Sequence, residues 1–248
     1  MMNDYNPFSL TGKTILVTGA SSGIGRGIAV LCSKMGATLV LQGRNKQKLK
    51  TTQEQLSGSG HSLVLGDLTD REAVVKMMDE IPILDGVVHG AGIGQRIPCK
   101  QLREEDVDSV MDINFKGPIL LQQILLEKKE ISKGASIIFI ASYAAYSPSI
   151  GHAIYSASKG ALISYANCLC LELAPRKIRV NSICPAMVWT DLIRNEGIEE
   201  EELKEDERRY PLKRYGQPED IAHLAVFMLS DASTWMTGSN VQITGGYH

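Results

Sequence analysis

No apolar run in this chain approaches the ~20 residues that a membrane-crossing helix needs. An excess of charge of one sign is also missing. Lys and Arg number 26 against 28 Asp and Glu, a formal net charge of −2, so composition supplies no pull on a nucleic acid or an acidic membrane. Cysteine is sparse: Cys32, Cys99, Cys168, Cys170 and Cys184 are odd in number and widely spread. That pattern argues against a disulfide framework and for a reducing, cytoplasmic setting. Cys168 and Cys170 stand two apart in a helical pattern, where their thiols diverge, so they read as small core residues. The five histidines are scattered and form no ligand cluster, so no metal is expected. The opening residues, Met1 to Phe8, lack the basic and apolar zones of a signal peptide. No internal repeat or low-complexity linker divides the sequence, and 248 residues suit one α/β domain with an ample core.

What is present is alternation. Apolar, β-branched runs near 15–17, 38–41, 62–65, 86–89, 136–141, 179–183 and 240–243 read as strands. Helical patterns separate them, among them 70–80, 104–127, 153–174 and 218–229. Strand and helix in turn argue a parallel sheet of about seven strands covered by helices on both faces.

Chemistry concentrates first in Thr18-Gly19-Ala20-Ser21-Ser22-Gly23-Ile24-Gly25, between the first strand and a helical pattern carried by Ile28, Leu31, Cys32 and Met35. Glycine at such a junction permits a tight turn and lets a phosphate approach backbone N–H groups at the positive end of a helix. The spacing is Gly-x-x-x-Gly-x-Gly, which differs from the Gly-x-Gly-x-x-Gly dinucleotide fingerprint. Gly12-Lys13-Thr14 echoes the end of a P-loop, but it precedes the strand and Pro7 occupies the earlier glycine position.

The second concentration is Tyr155-Ser156-Ala157-Ser158-Lys159, with Ser142 upstream. Residues i and i+4 share one helix face, so an ammonium can stand beside a phenol. At ~4 Å and an effective dielectric of ~20, that charge is worth ~4 kcal/mol, or about three pKa units, enough to turn a tyrosine into an acid or base near neutral pH. Ser156-x-x-Lys159 also echoes the penicillin-binding nucleophile, but its Ser-Asp-Asn and Lys-Thr-Gly partners are missing.

In this order and over nearly the whole chain, these motifs resemble the short-chain dehydrogenase/reductase family, closest in look to the branch that reduces 3-oxoacyl groups on acyl carrier protein. The resemblance implies a Rossmann-like doubly wound sheet and a catalytic tetrad of Asn114, Ser142, Tyr155 and Lys159. It places a nicotinamide dinucleotide against Gly19, Ser21, Ser22, Gly23, Ile24 and Gly25, then Asp67 and Leu68, then Gly90 and Ala91. Pro185, Val188 and Thr190 would lie under the nicotinamide, with Tyr155 and Lys159 reaching its ribose. Pro211-Leu212-x-Arg214-x-Gly216-x-Pro218-Glu219-Asp220 and the late glycines Gly238, Gly245 and Gly246 match the family's C-terminal part. It further implies a small-molecule carbonyl, alcohol or acyl substrate, a homotetramer, and a mobile substrate lid near 187–211, where charge is dense from Asn195 to Arg209.

The second strand ends in Leu41-Gln42-Gly43-Arg44-Asn45. A carboxylate here would bind the ribose of NAD, whereas Arg44 suits a 2′-phosphate, so NADP(H) is expected over NAD(H), with Asn45 alongside. Two departures from the family stand out. His89-Gly90-Ala91-Gly92 replaces Asn-Asn-Ala-Gly, with a flexible Gly90 expected to loosen the cofactor wall. Ala186 replaces glycine after Pro185, which predicts a loop of different shape. The substrate pocket is expected from 93–98, 143–152 and 187–192, partly apolar through Tyr143, Tyr146, Ile150, Met187 and Trp189. Sugars, polyols, steroids and small ketones are alternative substrates. A nicotinamide-sensing regulator is a rival that the intact tetrad argues against. A sugar-nucleotide epimerase or dehydratase is another, but it would need an added substrate domain.

Overall fold

The computed structural model describes residues 5–194 and 199–247. Residues 195–198 of the expected lid, and residues 1–4, therefore lie outside the described residues.

Seven parallel strands form one sheet: β1 (Thr14–Thr18), β2 (Thr38–Gly43), β3 (Ser62–Leu65), β4 (Leu84–His89), β5 (Ile131–Ile140), β6 (Arg179–Pro185) and β7 (Asn240–Ile243). Their order is β3-β2-β1-β4-β5-β6-β7. Every strand run expected from the apolar pattern is present. The helices are α1 (Gly23–Lys34), α2 (Lys46–Gln53), α3 (Arg71–Met77), α4 (Glu104–Met111), α5 (Gly117–Glu127), α6 (Ala153–Leu173), α7 (Asp191–Arg194), α8 (Glu200–Glu207) and α9 (Pro218–Leu229).

Side chains alternate across each strand, and the alternation builds two cores. Ile15, Val17, Leu39, Leu41, Val88, Ile138 and Ile183 face α1 and α9. Leu16, Val40, Val87, Ile137, Phe139 and Val180 face α5 and α6. Burial on both faces is why the strands read as continuous apolar runs. The helix expected over 104–127 is interrupted: Asp112–Lys116 forms a π-turn between α4 and α5. Such bulges mark functional sites, and this one carries Asn114.

From β1 the chain walks outward through β2 to β3, then returns to place β4 on the other side of β1. The carboxyl ends of β1 and β4 therefore flank a crevice where strand order reverses, the usual ligand position in an open α/β sheet.

Candidate active site

A cleft of about 970 Å³ opens over those strand ends. Its floor is pinned at Thr18, the buried last residue of β1. Gly90 N and Ala91 N donate to Thr18 Oγ1 at 3.0 and 3.2 Å, and the hydroxyl donates to Val88 O at 3.4 Å. This corrects the expectation of a loosened wall at Gly90. A Cβ there would lie 2.8 Å from Thr18 O, so glycine permits close approach of two strand ends that are then hydrogen-bonded together.

The turn after β1 is equally tight. A Cβ on Gly25 would lie 2.3 Å from Gly19 O. Ser22 is the N-cap of α1 in extended conformation with no side-chain cap bond, and the first helical turn carries no acid. Arg26 Nη2 donates to Ser21 O and Arg26 Nε donates to Thr52 Oγ1 at 3.0 Å; Thr52 Oγ1 in turn donates to Ala20 O at 2.9 Å. The arginine thus clamps the turn from outside while the N–H end of α1 faces the cleft. A cradle that a single methyl would fill, at a helix N-terminus without carboxylates, fits a dinucleotide pyrophosphate. Gly19, Ser21, Ser22, Gly23, Ile24 and Gly25 all line it.

At the far end of this half, Arg44 and Asp67 line the cleft and pair at 3.6 Å, both well exposed. Thr69 donates to Asp67 Oδ1 from its backbone N at 2.9 Å and its hydroxyl at 2.8 Å. The backbone bond first, and Arg44 more weakly, hold that carboxyl below the usual range. Leu68 lines the same wall. Asn45 does not line the cleft; its Oδ1 accepts from Lys48 N at 3.0 Å and caps α2.

The catalytic corner joins three elements. Ser142 follows β5, and its Oγ accepts from Ala144 N at 3.1 Å, leaving the O–H to donate. Tyr155 lies in the first turn of α6, half-buried. Lys159, one turn on, is buried, donates to Ile140 O at 2.9 Å and stands 5.8 Å from the centre of the Tyr155 ring. Burial pushes its ammonium down to about 8. Behind it lies Cys184, whose thiol burial pushes up to about 11. Ser142, Tyr155 and Lys159 line the cleft; Asn114 does not. Asn114 is fully buried in the π-turn. Ile93 N donates to its Oδ1 at 2.8 Å, and its Nδ2 donates to Ile93 O at 3.0 Å and to Ser158 Oγ at 3.1 Å. It ties the wall after β4 to α6 beside Lys159.

His89 points away from the cleft. It stacks on Phe139 at 4.6 Å and pairs through Nε2 with Gln122 Oε1 at 2.9 Å, and burial pushes it down to about 4. Ala186, the other departure, needs no positive φ: its N donates to Ile243 O at 3.1 Å and it continues from β6 in ordinary backbone.

Pro185, Val188 and Thr190 line the cleft, as do Met187 and Ile150, whereas Tyr146 and Trp189 do not. Trp189 instead joins Ile193, Leu203, Tyr210 and Tyr215 in a small separate core. Glu207 fastens that core, accepting from Trp189 Nε1 at 2.6 Å and Tyr215 N at 2.9 Å. The substrate half is more polar than expected. Arg96, Ser147, Ser149 and His152 line the cleft together with Glu202, Glu205, Asp206 and Arg209. Tyr247, which stacks on Tyr210 at 4.7 Å, also lines it. Sequence patterns missed Tyr247, since a tail tyrosine carries no local sign of a cleft, whereas α8 falls within the 187–211 stretch that the resemblance marked as a lid.

A family model described as enoyl-(acyl carrier protein) reductase matches residues 19–248. A 3-oxoacyl-[acyl-carrier-protein] reductase of Rickettsia felis is 34% identical over 96% of this chain and 97% of its own length. An NAD-dependent glycerol dehydrogenase of Listeria innocua is 35% identical over 97% of this chain and 95% of its own. The crystal structure of a glucose/ribitol-type short-chain dehydrogenase/reductase from Brucella melitensis superposes with a TM-score of 0.90 at 32% identity, covering 98% of this chain and 100% of that one.

Proposed function

The chain belongs to the short-chain dehydrogenase/reductase family of oxidoreductases, which act on alcohol and keto groups with NAD(P), and we propose that it uses NADP(H) on a small carbonyl or alcohol substrate with Asn114, Ser142, Tyr155 and Lys159 as its working residues. The observation that carries this reading is the buried Lys159 ammonium, 5.8 Å from the Tyr155 ring in the same cleft as the glycine cradle. The nicotinamide supplies the hydride chemistry when bound.

The protein's own residues do the rest. The glycine turn and α1 hold the pyrophosphate, and Arg44 takes a 2′-phosphate. Its ion pair with Asp67 is exposed, so exchanging that partner costs little. Ser142 donates to the substrate oxygen where charge develops. Tyr155 gives its proton to that oxygen in reduction and takes it back in oxidation. Lys159 stabilises the phenolate, and its hydrogen bond to Ile140 O fixes the ammonium there. Asn114 positions Lys159 by bracing α6. The described stretches 187–194 and 199–211 cover the substrate as a lid.

Likeness over the whole chain supports a 3-oxoacyl group as substrate. The polar substrate half favours a second reading, a sugar or polyol. A homotetramer in the cytoplasm is part of the same proposal; exposed Leu171 on α6 and Trp235 near the C-terminus support burial against further copies, and light scattering tests it. The function itself is tested by a carbonyl panel run with NADPH and NADH, repeated with Tyr155→Phe. Loss of the phenolic proton should lower kcat by about 10²- to 10⁴-fold. Near-full activity in that variant would sink the assignment.

A further inference from the structure

Among the described residues, the lysines and arginines lining the cleft are Arg44, Arg96, Lys159 and Arg209. Arg44 lies at the nucleotide end and pairs with Asp67. Lys159 is buried at the catalytic corner and donates to Ile140 O. Arg209 pairs with Asp206 at 3.6 Å. Arg96 alone of the four has no hydrogen-bond or ion-pair partner among the described residues.

Its place is built. Gly151 adopts φ +87°, and a Cβ there would lie 2.9 Å from Arg96 Cγ, so the arginine stem lies directly on that glycine. Ile97 N donates to Gly151 O at 2.8 Å and locks the two loops together. The next residue, His152, has its ring 6.2 Å from that of Tyr155 and is bonded to Ser149 Oγ through Nδ1 at 2.9 Å. The unpaired guanidinium is thus tied to the loop that leads into Tyr155, on the substrate side. The 191–194 and 199–211 stretches bring the opposite character to the same cleft: Asp191, Glu202 and Glu205 line it, together with Asp206 and its partner Arg209. An anionic group is repelled there and drawn to Arg96, while carboxylates on those stretches accept hydrogen bonds from hydroxyls.

We infer that Arg96 anchors a carboxylate of the substrate, and that the substrate is a short polyhydroxylated keto or hydroxy acid. This rests on the hydride-transfer reading above and narrows it. A 3-oxoacyl thioester has neither the free carboxylate nor the row of hydroxyls that these groups would meet.

The test measures kcat/KM with NADPH for a keto-aldonate, for the neutral ketose of equal chain length and for a 3-oxoacyl thioester, in the full chain and in Arg96→Ala, Arg96→Lys and Arg96→Glu. The keto-aldonate should be preferred. The keto-aldonate to ketose ratio should fall by roughly 10- to 100-fold in Arg96→Ala, as expected for a charged hydrogen bond. It should fall less in Arg96→Lys, which keeps the charge, and most in Arg96→Glu. Raising the ionic strength should raise KM for the keto acid more than for the ketose. A ratio that is the same in all variants, or a thioester preferred over both sugars, overturns the anchor while leaving hydride transfer intact. No Tyr155-dependent turnover of any carbonyl refutes hydride transfer itself, and the anchor with it.

Discussion

His89 makes the protein acid-sensitive from within its core. The imidazole is fully buried between Phe139 and Gln122, and burial pushes its pKa from 6.5 down to about 4. The unfolded chain therefore takes up a proton near pH 6.5, while the folded chain refuses it until about pH 4. Stability is full above about 6.5 and is lost as pH falls through that window, because there the unfolded state binds more protons. A shift from 6.5 to about 4 corresponds to roughly 3 kcal/mol at 1.36 kcal/mol per unit. His89→Asn removes the titrating group. The variant should be less stable at neutral pH, from lost stacking on Phe139 and the lost Gln122 bond, but its stability should fall less steeply between pH 6.5 and 4. Exposed carboxylates with lowered pKa, such as Asp67 and Asp220, titrate in both proteins and cancel in the difference. Urea unfolding at several pH values between 7 and 4 reads this directly. The gap between the two proteins should narrow by roughly 3 kcal/mol toward pH 4. Parallel pH profiles would refute the claim that His89 is held neutral by burial.

Two further substitutions probe the cofactor half. Gly25→Ala puts a methyl 2.3 Å from Gly19 O, so the turn must shift. Overpacking of this kind costs about 1–3 kcal/mol. NADPH binding measured by fluorescence should be lost while circular dichroism still reports a folded sheet; binding at wild-type strength would show that the turn does not touch the cofactor. Arg44→Ala should lower the ratio of kcat/KM for NADPH over NADH by about 10-fold, the scale of one charged hydrogen bond. An unchanged ratio would remove Arg44 from phosphate recognition.

The parts of the molecule that sequence revealed are those with local signals. The five inner strands β1, β2, β4, β5 and β6 are buried on both faces over most of their length, so each carries an apolar run that needs no partner to be recognised, while the edge strands β3 and β7 are only partly buried. The glycine turn and the Tyr155–Lys159 spacing are likewise local. The errors arise where distant segments decide the outcome. Gly90 reads as a flexible link until β1 is beside it, and then Thr18 Oγ1 fastens it. Asn45 reads as a cofactor contact because it follows Arg44, yet the nearest unsatisfied N–H belongs to Lys48 in its own helix, and capping wins. The continuous pattern over 104–127 hides a π-turn, because one extra residue in a turn hardly disturbs an apolar stripe.

The two halves of the cleft differ in the same way. The cofactor half is built mainly from strand ends and the first residues after them, so sheet order alone brings its residues together. The substrate half draws on Arg96, Ser149, Glu202, Glu205 and Tyr247, which lie in loops, on an acidic helix and in the tail. Each is polar and, read alone, an ordinary surface residue. Only their convergence distinguishes an unpaired guanidinium sharing a cleft with carboxylates from two exposed charges. Hydride transfer is therefore legible from motifs, whereas the substrate is legible only from which charges the fold brings into one cleft.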